Sequence, residues 1–291
     1  MDVRQLRYFL AIVDHGSVHR AAQELFVAQP SVSQALRALE RDLGADLFHR
    51  TGRRLVLTPA GERLIEPARE VVRGVEVARA TVEAVNGLRA GRLSIASMSS
   101  QAVSPLALLV SRFRIAHPLV EVTVRAAGTP QEVVAAVRSG TAELGLLGTP
   151  TVGPELAGLT VHSLEKQAFV LVAADEVDLP AGDPVTMDAL TGRRLVVGRP
   201  GTGTRRVADS ILRRSPGCRI AVEVEHREAV LPLVLAHVGV AVLSESWREL
   251  ARAAGAVVRD LVSDEVLRVC LVHREARLSP AATAFLPREQ R

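Results

Sequence analysis

The period of the apolar residues changes near residue 91, and that change confines the chain to a few architectures. Before it, the spacing is helical. Leu6, Phe9, Leu10 and Val13 fall at i, i+3, i+4 and i+7, the stripe of an amphipathic helix. Gly16-Ser17 interrupts it, and Ala21, Ala22 and Leu25 mark a second, short helix. After a turn at Phe26–Gln29, Pro30 suits the start of a third helix, whose apolar side is Val32, Leu36, Leu39 and Leu43 and whose stop is Gly44. Beyond residue 91, strand-like runs (Leu93–Ser97, Glu121–Arg125, Glu143–Leu147, Phe169–Ala173, Leu195–Gly198, Ile220–Glu225, Val240–Leu243, Ala256–Leu261, Val266–Val272) alternate with helix-like stretches such as Pro105–Ala116 and Thr204–Arg214. Alternation of this kind predicts α/β layering. A helical head on an α/β body also agrees with the length of 291 residues, since a domain takes roughly 100–200.

The head reads as a helix-turn-helix. The small pair Ala21-Ala22 lets two short helices cross closely. The exposed side of the third helix carries Gln29, Ser31, Ser33, Gln34 and Arg37, short or planar hydrogen-bonding groups of the kind that read base edges in a major groove. The bland alternative is a solvated helix face. The next segment weighs against it: Leu47–Leu57 holds His49, Arg50, Arg53 and Arg54 without an acid, around a turn at Gly52. A small β-hairpin with a basic tip, a wing, is expected there, with its arginines on phosphates or in a minor groove.

Thr58-Pro59 then opens a long helix, expected to reach about Leu88. Leu64, Ala68, Val71, Val75, Ala78, Val82 and Val85 are spaced 4, 3, 4, 3, 4, 3, a heptad seam that predicts pairing with a second helix. Pro67 lies inside it and is expected to kink it or delete one hydrogen bond.

Composition excludes more than it assigns. Apolar residues make up 48% and charged residues 23%, which is not a disordered chain. The net charge of +4 is a weak pointer to nucleic acid, and it is spread as +2 over residues 1–90 and +2 over the remainder. Four of the eight aromatics, Tyr8, Phe9, Phe26 and Phe48, lie in the first 48 residues and are expected to lock the head, leaving the body without aromatic cages. Cys218 and Cys270 are too few for a disulfide framework. Arg213, Arg214 and Arg219 near Cys218 would favour its thiolate, but two inert core thiols are the simpler reading. The start lacks a signal peptide's pattern, and the longest apolar run, Ala229–Leu243, is broken by Pro232 and His237. A cytoplasmic protein with no membrane span is expected.

No enzymatic or cofactor motif stands out. Gly201-Thr202-Gly203-Thr204 has Arg206 where a dinucleotide fingerprint needs its third glycine. His15 and His19 are separated by the helix-breaking Gly16, so no metal site is expected. The competing class is a cytosolic small-molecule receptor or enzyme whose helical head does not bind DNA.

A set of residues in register resembles the LysR-type transcriptional regulators over the first 65 positions: Leu6-Arg7-Tyr8-Phe9, Gly16-Ser17-Val18, Arg20-Ala21-Ala22, Leu25, Gln29-Pro30-Ser31-Val32-Ser33, Leu39-Glu40, Leu43-Gly44, Leu47-Phe48, Arg50 and Leu57-Thr58-Pro59-Ala60-Gly61. His19, His237 and Ser244 depart from that pattern. The resemblance implies an all-α winged helix-turn-helix head (1–58), a long linker helix (59–90) and an α/β two-lobed, periplasmic-binding-protein-like effector domain (91–291). Its lobe I would be about 91–161 with 267–291, and lobe II about 162–266. It implies a homodimer or homotetramer on a double-stranded DNA operator, with no enzymatic activity and no cofactor. Base reading would fall to Gln29, Pro30, Ser31, Ser33, Gln34 and Arg37, and backbone or minor-groove contacts to Arg50, Arg53 and Arg54. Dimerisation would use Leu64, Val71, Val75, Ala78 and Val82. A small-molecule effector, anionic in character, would lie between the lobes among Ser97, Ser99, Ser100, Gln101, Thr129, Gly148, Thr149, Gly201, Thr202 and His226.

Overall fold

The computed structural model describes residues 1–51, 54–84 and 91–287. They divide into two compact units, a helical one that contains the head and the long helix, and an α/β one that contains the body.

In the helical unit, α1 (Val3–His15) starts with a reciprocal cap. The Asp2 carboxylate accepts the Gln5 amide at 2.8 Å, and the Gln5 side chain accepts the Asp2 amide at 2.7 Å. Gly16, at φ +69°, closes the helix in the left-handed conformation that a glycine adopts without strain. Ser17 caps α2 (Val18–Glu24), and α3 (Gln29–Leu43) follows with Pro30 in its first turn. Leu6, Phe9, Ile12, Ala21, Val32, Leu36 and Leu39 are buried together, which fixes α3 against α1 and α2. The wing is present as β1 (Phe48–Thr51) and β2 (Arg54–Leu57), antiparallel with Arg50 opposite Leu55. Phe48 stacks at a tilt on Phe9, ring centroids 5.6 Å apart, and anchors the hairpin to the core. Phe26 departs from expectation. It is 95% exposed at φ +54° in the α2–α3 turn, so three aromatics lock the head rather than four.

The long helix α4 (Pro59–Ala84) is continuous across Pro67. The proline removes one amide donor on a stretch where Arg63, Glu66 and Pro67 are exposed. Thr58 caps it, its hydroxyl accepting the Gly61 amide at 3.0 Å. Val85 and Leu88 lie outside the described residues.

The α/β unit has two lobes. Lobe I is built on β3 (Gly91–Met98), α5 (Ser99–Gln101, one turn), a kinked helical stretch (Ala102–Leu106) broken by extended Ser104, α6 (Ala107–Ala116), β4 (Val120–Ala127), α7 (Pro130–Arg138), β5 (Leu144–Thr149) and β6 (Leu159–Gln167). Lobe II contains β7 (Phe169–Ala173), β8 (Arg194–Gly198), α8 (Gly203–Arg214), β9 (Arg219–Val224), α9 (Val230–Leu235), β10 (Ala241–Ser244), α10 (Arg248–Ala253) and β11 (Val257–Asp260). The chain returns to lobe I through β12 (Leu267–Arg274) and ends its described course after α11 (Pro280–Phe285).

Lobe I orders its strands β4-β3-β5-β12-β6, with β3 parallel to β4 and β5, and β12 antiparallel to β5 and β6. All six residues of β5 are buried, as expected of a central strand covered on both faces. In lobe II, β7 lies between β10 and β11 and all five of its residues are buried. Phe169, Leu171 and Ala173 enter the core under α8, while Val170 and Val172 enter the core under α9 and α10. One continuous apolar run thus serves two cores by strand alternation.

The expected lobe boundary at 161/162 shifts. Strand β6 stays in the lobe I sheet to Gln167, which pairs with Leu267 of β12. The crossing therefore falls at Ala168.

Candidate nucleic-acid interface and effector cleft

In the head, Val32, Leu36 and Leu39 turn α3 inward, which leaves its opposite side to solvent. Gln29, Pro30, Ser31, Gln34 and Arg37 are exposed and Ser33 is half-buried, so the expected reading residues share one accessible face. An open groove of about 1150 Å³ runs between α1 and α3, with Arg4, Arg37 and Arg41 on its walls. Arg4 and Arg41 were not among the expected contacts. They carry the positive charge of α1 and α3 to the side where Gln34 lies. The base of the wing is pinned to α3. Glu40 of that helix accepts the Leu47 amide at 3.0 Å and the Phe48 amide at 3.4 Å. Arg50 and Arg54 occupy the two hairpin strands, and Arg53 lies outside the described residues.

The seam of α4 is split by packing. Leu64 and Ala68 pack on the head core, so Leu64 is in part a contact within the chain. The helix is held on α1 by ion pairs of Arg69 with Asp14 and of Arg7 with Glu76. Val71, Ala78 and Val82 are exposed and Val75 is half-buried, leaving an uncovered apolar stripe along the outer half of the helix.

In the α/β unit a small cavity of about 40 Å³ lies between the lobes, its walls including Ser99, Ser100 and Gly128 from lobe I and Arg199, Thr202 and Arg227 from lobe II. Ser100 accepts the indole N–H of Trp247 at 3.2 Å, which leaves its hydroxyl proton free to donate. Thr202 caps α8, accepting the Arg205 amide at 3.3 Å and donating to the Arg199 carbonyl at 3.2 Å. Thr129 caps α7, accepting the Glu132 amide, and its methyl lies opposite Gly201. The Gln101 amide is fully buried, and among the described residues neither its Nε2 nor its Oε1 has a hydrogen-bond partner. Gly148 makes room for it: a Cβ there would stand 2.8 Å from Nε2.

Of the ten expected effector residues, Ser99, Ser100 and Thr202 line the cavity; Gln101, Thr129, Gly148 and Gly201 do not, and neither do Ser97, Thr149 and His226. Ser97 is buried and donates to the Met98 carbonyl at 3.1 Å, and Thr149 donates to the Thr151 carbonyl at 2.8 Å. Both hydroxyls are consumed by local backbone. His226 is exposed, and its neighbour Arg227 reaches the cavity in its place. Burial lowers the Arg227 guanidinium to about 10, with Glu228 pulling it back upward, so it stays a cation at neutral pH.

An ion pair joins the lobes. Glu132 on α7 pairs with Arg199, which follows β8. The Gly128 amide donates to Glu132 at 2.7 Å and is the main reason its carboxyl lies below the usual carboxylate range; Arg199 lowers it further. A Cβ at Gly128 would fall 2.6 Å from the Arg199 guanidinium carbon, so a side chain there would make the guanidinium shift.

Cys218 packs on the lobe II core and Cys270 sits in the lobe I core. Burial raises both thiols, so the arginines near Cys218 do not generate a thiolate there. Asp175, Asp178 and His237 come together at the surface of lobe II, His237 Nδ1 being 3.6 Å from each carboxylate. The sequence offered no sign of this group. Among the described residues no helix is long and apolar enough to cross a membrane.

Two family models match the chain, the bacterial regulatory helix-turn-helix protein, lysR family, over residues 3–62, and the LysR substrate binding domain over residues 86–287. Among curated relatives, the regulator YnfL of Escherichia coli is 33% identical over 98% of this chain and 96% of its own length. IlvR of Caulobacter vibrioides is 31% identical, with 98% and 96% covered. Among solved structures, full-length CbnR complexed with its target DNA aligns with a TM-score of 0.67 at 24% identity, covering 98% of this chain and 97% of that one. A full-length OxyR variant from Pseudomonas aeruginosa gives 0.70 at 21% identity, with 98% and 92% covered. At these identities the two structures bear on the fold.

Proposed function

Since the chain belongs to the LysR family of bacterial transcriptional regulators, we propose that α3 and the wing read a duplex operator while the inter-lobe cleft takes a small-molecule effector that tunes operator binding. The regulator acts in the cytoplasm as a homodimer or homotetramer, and its operator is two-fold symmetric because two identical heads dock on it. The observation that carries the reading is the exposed polar face of α3, from Gln29 to Arg37, on a helix whose opposite face is buried in the head core.

Gln29, Gln34 and Arg37 present donors and acceptors for base edges, with Pro30, Ser31 and Ser33 shaping the close approach. Arg50, Arg53 and Arg54 supply phosphate or minor-groove contacts, which give affinity and salt dependence in place of sequence preference. On α4, the stripe of Val71, Val75, Ala78 and Val82 joins two protomers. In the cleft, Ser99, Ser100 and Thr202 line the effector's seat; Thr129 sets its methyl against Gly201, and Gln101 lies against Gly148.

A gel shift with the gene's own upstream region tests this reading. Full-length protein is expected to retard that duplex in preference to an unrelated one. Neutralising Arg50, Arg53 and Arg54 should weaken binding to both and lower the salt slope by about 2.7 per wing, from about 0.9 per phosphate contact. An unchanged affinity and slope in the triple variant would remove the wing from the interface. Failure to bind any duplex would favour the receptor class.

A further inference from the structure

Arg227 is placed at a cost that its neighbours among the described residues offset only in part. It follows β9 at the start of a short 3-10 turn, and its Nη1 donates to Thr204 Oγ1 at 2.9 Å. Its Nε and Nη2 are buried and, among the described residues, have no hydrogen-bond partner. A guanidinium that has lost water on two donors and gained no acceptor is destabilising. Idle buried donors in a folded protein call for a reason, and a ligand that completes them is one. Arg227 is one wall of the small inter-lobe cavity, whose volume suits a few water-sized groups, the scale of one anionic head group.

The other charges in the cavity do not already satisfy Arg227. Arg199 is engaged by Glu132. Glu225 lines the cavity too, but it is exposed, and no ion pair joins it to Arg227 among the described residues. On the lobe I side stand Ser99 and the Ser100 hydroxyl, which accepts from Trp247 with one lone pair and keeps its own proton to donate. On the lobe II side stands Thr202, at the start of the twelve-residue helix α8.

We propose that Arg227 is the charged anchor of the effector cleft, binding a small oxyanion group through Nε and Nη2 while Ser100 donates to it from the opposite lobe. The Nε–Nη2 edge of a guanidinium presents two parallel donors that match two oxygens of one carboxylate, sulfate or phosphate. The oxyanion is carried by a metabolite as its carboxylate, or is free inorganic sulfate or phosphate; the chemistry is shared. Contacts from both lobes make the anion a ligand that favours the closed cleft. This inference rests on reading the cleft as the effector site.

The test uses full-length protein with sodium acetate, sodium succinate, sodium sulfate and sodium phosphate, against sodium chloride at matched ionic strength. Melting temperature and calorimetric titration are read. At least one oxyanion is expected to raise the melting temperature saturably, and the saturating probe distinguishes carboxylate from inorganic anion. Arg227→Gln should melt at or above the wild type without anion, since the idle charge is gone, and should lose at least ~10-fold in affinity for that probe. Arg227→Lys keeps the charge but not the paired donors, and should fall between the two. Should Arg227→Gln fail to fold, Arg227→Lys and the wild type still decide: equal affinity in both sinks the anchor. So does wild-type protein that none of the four oxyanions stabilises beyond chloride. A gel shift on the same preparations separates the two readings. DNA binding without anion binding overturns the anchor alone, whereas saturable, Arg227-dependent anion binding without DNA binding upholds the anchor and overturns the regulator.

Discussion

Glu132 spans the two lobes with a single carboxylate, accepting the Gly128 amide on its own side and pairing with Arg199 on the other. Its folded pKa lies below the value of 4.5 that the unfolded chain would show. A depressed carboxylate contributes stability above its unfolded pKa and loses it as pH falls through the folded one. The contribution is thus complete at neutral pH and fades below about pH 4.5. Both side chains keep a third to a half of their surface in water, so the pair is worth at most about 1 kcal/mol. Glu132→Gln should flatten the acid limb of the melting temperature against pH while changing little at pH 7. An acid limb of the same depth in both proteins would assign that stability to other carboxylates.

At the scale of elements, α4 carries an apolar stripe that the chain itself leaves half-covered. Val75→Asp with Ala78→Asp places two charges on it away from the head core, so the monomer should fold and the assembly should not. Light scattering is expected to report a smaller species. A variant of unchanged mass would mean that these protomers associate elsewhere. The stripe was legible because a heptad spacing is a property of sequence alone; that Leu64 belongs to the head core was not, since the same spacing serves both contacts. Buried central strands were legible for a similar reason: β7 is five apolar residues in a row. Strand β6 escaped notice because it is the last strand of its sheet and carries His162, Ser163, Glu165 and Lys166, the polar pattern of an edge. Of the cleft, the capping residues Thr129 and Thr202 announce themselves beside glycines and helix starts. Arg227 does not, because its role depends on burial between two lobes far apart in sequence.

For the whole molecule, the two units matter to each other only through a difference in free energy. An effector that binds equally well whatever the state of the DNA-binding assembly shifts nothing, however tight it is. If the cleft anion alters operator affinity by some factor, the operator must alter anion affinity by the same factor. Factors of about 5–150 are usual for such coupling. Two titrations measure it: operator binding with and without the saturating oxyanion, and oxyanion binding with and without saturating operator. The two ratios are expected to agree and to exceed about 5. Arg227→Gln should bring the first ratio to one while leaving operator affinity in the absence of anion close to the wild type, because α3 and the wing are untouched. Equal operator affinity with and without anion, in a protein that binds both, would leave the cleft occupied but without control over the operator. The wild-type ratio therefore separates a regulatory ligand from a merely stabilising one.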